Sequence, residues 1–139
     1  MKNEAAFSRW LCKHLKDQGL FVQRLEVTTG AGIPDLAVLG LDFYYENNHL
    51  ADGLGTFKHT AWIELKWKTK HIRPEQYVWG LKAKNSGVDV NYVVGFDETL
   101  ALYSIDDAVK MTNSFKLTHK LYEGDRSKAA IPDMLQYLQ

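Results

Sequence analysis

The stretch from Ala61 to Phe96 constrains the fold more than any other part of this chain. Ala61 to Trp67 alternates strictly, so Trp62, Glu64 and Lys66 point to one face of a strand and Ile63, Leu65 and Trp67 to the other. Pro74 suits the first turn of a helix, where its missing N–H goes unused. That helix runs through Gln76, Trp79 and Leu81 to about Ser86, and Gly87 can end it. Val88 to Phe96 then returns as a strand whose unbroken Tyr92-Val93-Val94 calls for cover on both faces. Strand, helix and doubly buried strand in succession make a crossover within a parallel or mixed sheet.

The segments before it extend that sheet. Glu4 to Gln18 carries Phe7, Trp10, Leu11 and Leu15 at helical spacing, with Asn3 placed to cap the start and Gly19 the end. Leu20 to Val27 is a β-favouring run, and Thr28-Thr29-Gly30-Ala31-Gly32 is a small-residue loop. Pro34 to Leu41 reads as an apolar strand interrupted by Asp35. Asp42 to Thr60 is an insertion, a hairpin or lid, with turn pairs at Asn47-Asn48 and Asp52-Gly53. Beyond Phe96, Ser104 can cap a short helix holding Ile105, Ala108, Val109 and Met111, and a last short helix begins at Pro132. The expected architecture is α/β: helix, three strands as a meander, helix, strand, with a small mixed central sheet flanked by helices. It is read as one domain over residues 1–139, with its core at about 4–96 and an extension at 97–139.

Composition narrows the function classes. Cys12 is the only cysteine among 139 residues, which excludes an intrachain disulfide and a cysteine-built zinc site. No run approaches the roughly 20 apolar residues that span a bilayer, so no membrane partner is expected, and the cytoplasm is the expected location. Lys and Arg total 17 and Asp and Glu also 17, yet the charge is not evenly spread. Lys58, Lys66, Lys68, Lys70, Arg73, Lys82 and Lys84 crowd one stretch, opposed there only by Glu64 and Glu75. A basic stripe on a neutral chain is compatible with phosphate contact or with a solvated charged face.

Asp35 follows Gly32-Ile33-Pro34, and Glu64 and Lys66 lie two apart on the next predicted strand, hence on one face. If those strands pair, Asp35 and Glu64 converge on one cation, with the Leu65 backbone carbonyl as a further oxygen ligand. Hard divalent ions such as Mg²⁺ take that kind of site, with one or two carboxylates plus waters and substrate phosphate. A carboxylate inside the apolar run from Pro34 to Leu39 also calls for a partner, since an unpaired buried charge is costly. Lys66 beside the pair would orient the attacking water and offset transition-state charge. A role as base would need a pKa far below about 10.4, which two neighbouring carboxylates oppose.

Gly32-Ile33-Pro34-Asp35 followed by Trp62-Ile63-Glu64-Leu65-Lys66 resembles the signature of the PD-(D/E)XK nuclease superfamily, in particular VRR-NUC domains and archaeal-type Holliday junction resolvases. The resemblance covers residue 4 to about residue 96. It implies a restriction-endonuclease-like α-β-β-β-α-β core and Mg²⁺- or Mn²⁺-dependent hydrolysis of phosphodiester bonds in DNA. It also implies that Glu4, on the first helix, supports the metal site, where the residues alone leave a helix-dipole role equally open. Pro74-Glu75-Gln76 followed by Trp79, Leu81 and Gly87 resembles the helix after the lysine strand in VRR-NUC-like proteins. The insertion at 42–60 and the final forty-odd residues have no counterpart in that pattern.

Several residues take supporting roles on this reading. Gln76 would contact phosphate, water or Glu64. Lys68 and Lys70, alternating outward with Lys66, and Arg73 would follow a DNA backbone. Thr29 and Gly30 would let that backbone approach closely. The five histidines show no His-Glu-x-x-His spacing, and His71 is the one placed to touch phosphate. The four tryptophans fall mostly on apolar faces and read as core, leaving Tyr44 and Tyr45 as base-stacking candidates. The expected function is a deoxyribonuclease that cuts branched, flapped or nicked DNA. Its small size suits a phage-encoded or mobile-element enzyme in a host cytoplasm, and a homodimer fits the two cuts of junction resolution. The alternative from another class is a non-catalytic protein on a nuclease fold, binding nucleic acid or blocking a host-defence protein.

Overall fold

The first helix, α1 (Glu4–Asp17), forms where the apolar spacing predicts it. Asn3 caps it, its side-chain oxygen accepting from the Ala6 N–H at 2.8 Å, and Gly19 at φ +81° follows its end. Phe7, Leu11, Cys12 and Leu15 make its buried stripe. The structure, a computed structural model, describes residues 3–25, 31–43 and 57–139. Thr28, Thr29, Gly30, Tyr44, Tyr45 and His49 fall outside them.

The meander and crossover follow. β1 (Phe21–Arg24), β2 (Leu36–Phe43) and β3 (Phe57–Trp67) pair antiparallel in sequence order. A short β4 (His71–Ile72) leads into α2 (Pro74–Asn85), which carries the chain over to β5 (Val90–Gly95), parallel to β3. Every residue of β5 is buried, as its unbroken apolar run requires. The β2–β3 register shifts between Val38 and Leu41, and Gly40 at φ +78° supplies the bulge.

The chain after Phe96 departs from expectation. The residues after Ser104 form a turn and not a helix, the Ser104 hydroxyl accepting from the Asp106 N–H, and the run before them is β6 (Thr99–Ser104), paired antiparallel with β5. Serine serves both motifs, and the exposed edge of β5 offers a full ladder that a one-turn helix cannot match. Val109 lies in β7 (Val109–Lys110), which with β8 (Phe115–Lys116) and β4 makes a second, three-stranded sheet. β9 (His119–Asp125) then pairs with β6 and completes a main sheet ordered β1-β2-β3-β5-β6-β9. A short 3-10 turn, Lys128–Ala130, leads into α3 (Ile131–Leu135), near the predicted Pro132 start.

Two cores result. On one face Phe7, Leu11 and Leu15 of α1 and Ile131 and Met134 of α3 meet Leu36, Val38, Ile63, Leu65 and Val93. On the other, α2 and the small sheet cover Tyr92, Val94, Ala101, Tyr103 and Ile105. Trp10 and Trp67 pack on the first core and Trp62 and Trp79 on the second, all four partly buried. Near the start of β5, the buried Asn91 side chain donates to the Trp62 and Gln139 carbonyls and accepts from the Gln139 N–H. No helix among the described residues is long and apolar enough to cross a membrane.

Candidate active site

Asp35 sits immediately before β2, at the end of a loop that leans on the start of α2. Gly32 makes that contact possible. Its φ is +78°, and a Cβ there would collide with the Glu75 carbonyl and the Gln76 backbone nitrogen. Asp35 is then gripped on two sides. Its carbonyl accepts from the Leu25 N–H at 2.9 Å, and its Oδ2 accepts from the Leu65 N–H at 2.8 Å.

The second bond has a simple origin. The β2–β3 ladder begins at Leu36–Ile63, so Leu65 has no main-chain acceptor on that side, and the Asp35 side chain takes the place of one. Continuing the register one step past Leu36–Ile63 brings Asp35 opposite Glu64, which sets two carboxyl groups side by side. The N–H and C=O of a strand residue leave on the same edge, so the Leu65 carbonyl faces the Asp35 side as well.

Glu64 is only 4 % exposed. Its Oε1 accepts from Gln76 Nε2 at 2.8 Å, and Gln76 is oriented in turn by accepting from the Arg73 N–H at 2.8 Å. That last bond ties the helix start, so a glutamine buried in the first turn of α2 both caps the helix and holds the carboxyl. The other oxygen, Oε2, is buried and has no hydrogen-bond donor. The neighbouring carboxyl group is Asp35, another acceptor, and only a shared proton or a cation can join the two. Lost solvation, then the charge and contact of Asp35, push the Glu64 carboxyl up to about 9, with Lys66 pulling the other way and Glu4 adding to the rise.

Glu4 joins the cluster from the first residue of α1. Lost solvation raises its pKa and the Asp35 charge adds to the rise, while Lys66 and Arg73 oppose it. Lys66, partly buried on the Glu64 face of β3, thus acts on two carboxyl groups at once. The structure therefore brings together Glu4, Asp35, Glu64, Lys66, Gln76 and Arg73.

Other expected residues stand differently. β3 ends at Trp67 and Lys68 adopts φ +58°, so the alternation carrying Lys66 outward does not continue through Lys68 and Lys70. Lys68 pairs instead with Asp97 at 3.0 Å and lies over the Trp67 ring at 5.5 Å. Lys70 gives its carbonyl to the Leu117 N–H, and His71 Nδ1 meets the Ser114 hydroxyl at 2.9 Å beside the small sheet. Thr29 and Gly30 lie outside the described residues.

The donor set suits a hard divalent ion. Two facing carboxyl groups, one with a buried oxygen lacking a donor, plus a backbone carbonyl, match an ion that keeps several waters. Among the described residues no group of three or more His, Cys, Asp or Glu is disposed to hold a metal ion. Glu4 acts on the pair through its charge.

Sequence reasoning missed one neighbour. Tyr92 stands beside Glu64 in the β3–β5 register, fully buried, and its hydroxyl has no partner. An aromatic inside an apolar run reads as core, so only the pairing with β3 reveals where it lies.

No protein family model matches this chain, and no curated protein does. Among solved structures it is similar to Archaeoglobus fulgidus Hjc, a Holliday junction resolvase from an archaeal hyperthermophile, at 13 % identity and a TM-score of 0.52 over 91 % of this chain and 92 % of that one. At that identity the likeness is one of fold: a central mixed sheet with flanking helices, of the restriction-endonuclease-like kind.

Proposed function

We propose that this chain is a divalent-metal-dependent DNA endonuclease of the PD-(D/E)XK type, selective for branched, flapped or nicked DNA. The observation that carries the reading is the Asp35–Glu64 pair, two carboxyl groups held face to face with a buried oxygen that no donor serves. A protein that only grips nucleic acid has no use for that arrangement, since an unsatisfied buried acceptor costs about 1–3 kcal/mol. The shared fold with a Holliday junction resolvase supports DNA, and branched DNA in particular, as the substrate.

Asp35 and Glu64, with the Leu65 carbonyl, would hold Mg²⁺ or Mn²⁺. The ion, when bound, supplies Lewis-acid polarisation of the phosphate and activation of water. Lys66, on the same strand face as Glu64, is placed to orient the attacking water and to offset charge on the phosphoryl oxygens. Gln76 keeps the Glu64 carboxyl turned toward Asp35, because its own amide is fixed by the Arg73 N–H. Arg73, whose charge reaches Glu4 and which pairs with Glu75 at 3.2 Å, is a further cation for a neighbouring phosphate.

The test is cleavage of supercoiled plasmid, linear duplex, single strands and a four-way junction with Mg²⁺ or Mn²⁺, by wild type and Lys66→Ala. Ion-dependent cutting strongest on the junction, and lost in the variant, supports the reading. Folded protein that cuts none of them with either ion defeats it.

A further inference from the structure

The least explained group in the core lies one strand away from the carboxyl pair. Tyr92 is directly beside Glu64 in the parallel β3–β5 register, and both side chains face α2. Tyr92 is completely buried, and its hydroxyl makes no hydrogen bond. Such a group should be rare, because burying a hydroxyl without a partner forfeits its hydration for nothing.

α2 is shaped around this hydroxyl. Gly80 lies four residues, one helical turn, after Gln76, so both look onto the same strip of sheet. Gln76 reaches Glu64, and the missing side chain at Gly80 leaves room that the Tyr92 hydroxyl fills, since a Cβ there would strike it. A phenol reaches further from its strand than a glutamate does, so the hydroxyl lies past the carboxyl, toward the helix. The Tyr92 hydroxyl and the Glu64 carboxyl thus stand on neighbouring strands under α2, close enough for the Glu64 charge to act on the phenol. Phenylalanine would fill the ring's space equally well and leave nothing unpaired.

We propose that Tyr92 is a positioning residue for the metal site, its hydroxyl holding the Glu64 carboxylate in its ion-binding orientation through one buried water. Polar atoms on both sides give that water the partners it needs. Gln76 secures one carboxylate oxygen directly, and the Tyr92 hydroxyl secures the group from the β5 side. With no ion bound the hydroxyl is a liability, and with the ion bound it is an asset. This inference rests on the proposed metal site.

Opposite signs make it testable with Tyr92→Phe and two measurements that need no catalysis. Thermal melting without ions should show the variant at least as stable as wild type, because an unpaired hydroxyl has been removed. Titration calorimetry with Mn²⁺ should show the variant binding about tenfold more weakly, the worth of one hydrogen bond to a charged group. A melting temperature lowered without ions would mean the hydroxyl has a structural partner and would overturn the proposal, as would equal Mn²⁺ affinity. Wild type that binds no Mn²⁺ would bring down the metal-site reading itself, and Tyr92 with it. Gly80→Ala, compared in the wild-type and Tyr92→Phe backgrounds, checks the placement: the added methyl should cost less where the hydroxyl is gone.

Discussion

At the scale of single residues, Glu64 governs the site's response to protons. Its pKa stands at about 9 against an ordinary 4.5, so between those values the folded chain binds a proton that the unfolded chain releases. Stability without metal should therefore be greatest below pH 4.5 as far as this group is concerned, and fall as pH rises toward 9. Glu64→Gln, which copies the protonated form and keeps the acceptor for Gln76, should flatten that fall. Melts of the ion-free proteins from pH 5 to pH 9 check it, and parallel curves would contradict it. The same proton must leave before an ion can bind, so Mn²⁺ affinity should climb across the same interval in wild type and be absent in Glu64→Gln. Lys66→Ala should behave otherwise. It removes a partly exposed cation that offsets the carboxyl pair, so cleavage should drop about 10²–10³-fold or more while the melting temperature changes little. A variant that cuts normally would remove Lys66 from the chemistry.

At the scale of elements, the contact between the Gly32 loop and the first turn of α2 decides whether the site is assembled. Gly32→Ala meets both a left-handed backbone and a collision with the Glu75 carbonyl, and should cost about 2–4 kcal/mol by urea unfolding. A loss under 0.5 kcal/mol would show that loop and helix can part cheaply. Gln76→Ala leaves the Arg73 N–H and a Glu64 oxygen without their bonds, and should cost about 1–3 kcal/mol in the same assay. This is also where sequence reading was strongest and weakest. Asp35, Glu64, Lys66 and Gln76 were legible because strand alternation and a proline-started helix dictate their directions without tertiary information. Tyr92 was not, because its meaning lies in a strand pairing across 28 residues of sequence. The direction of Lys68 was not legible either, because an alternating pattern does not announce the positive φ that stops it.

At the scale of the whole molecule, the meander and crossover were readable and the sheet's far half was not. Thr99 to Ser104 is a short apolar run that periodicity cannot assign, and only the open edge of β5 makes it a strand. β6 buries Leu100 and Leu102 in the core under α1 and α3, and Ala101 and Tyr103 in the core under α2. Residues after Gly95 are thus part of both cores. A fragment truncated after Phe96 should lack a cooperative thermal transition by circular dichroism, and a fragment that melts cooperatively would show that the first 96 residues suffice.

The Asn91 clasp has a consequence in time as well as in energy. A buried amide that gives and takes hydrogen bonds with the main chain of Gln139 acts as one rung of a ladder, set beyond the last helix where no strand pairs with that segment. Deuterium should therefore enter the Gln139 amide slowly, on the schedule of the sheet beneath it. In Asn91→Ala that amide should exchange at the rate of an open chain, while the strands keep their own clock.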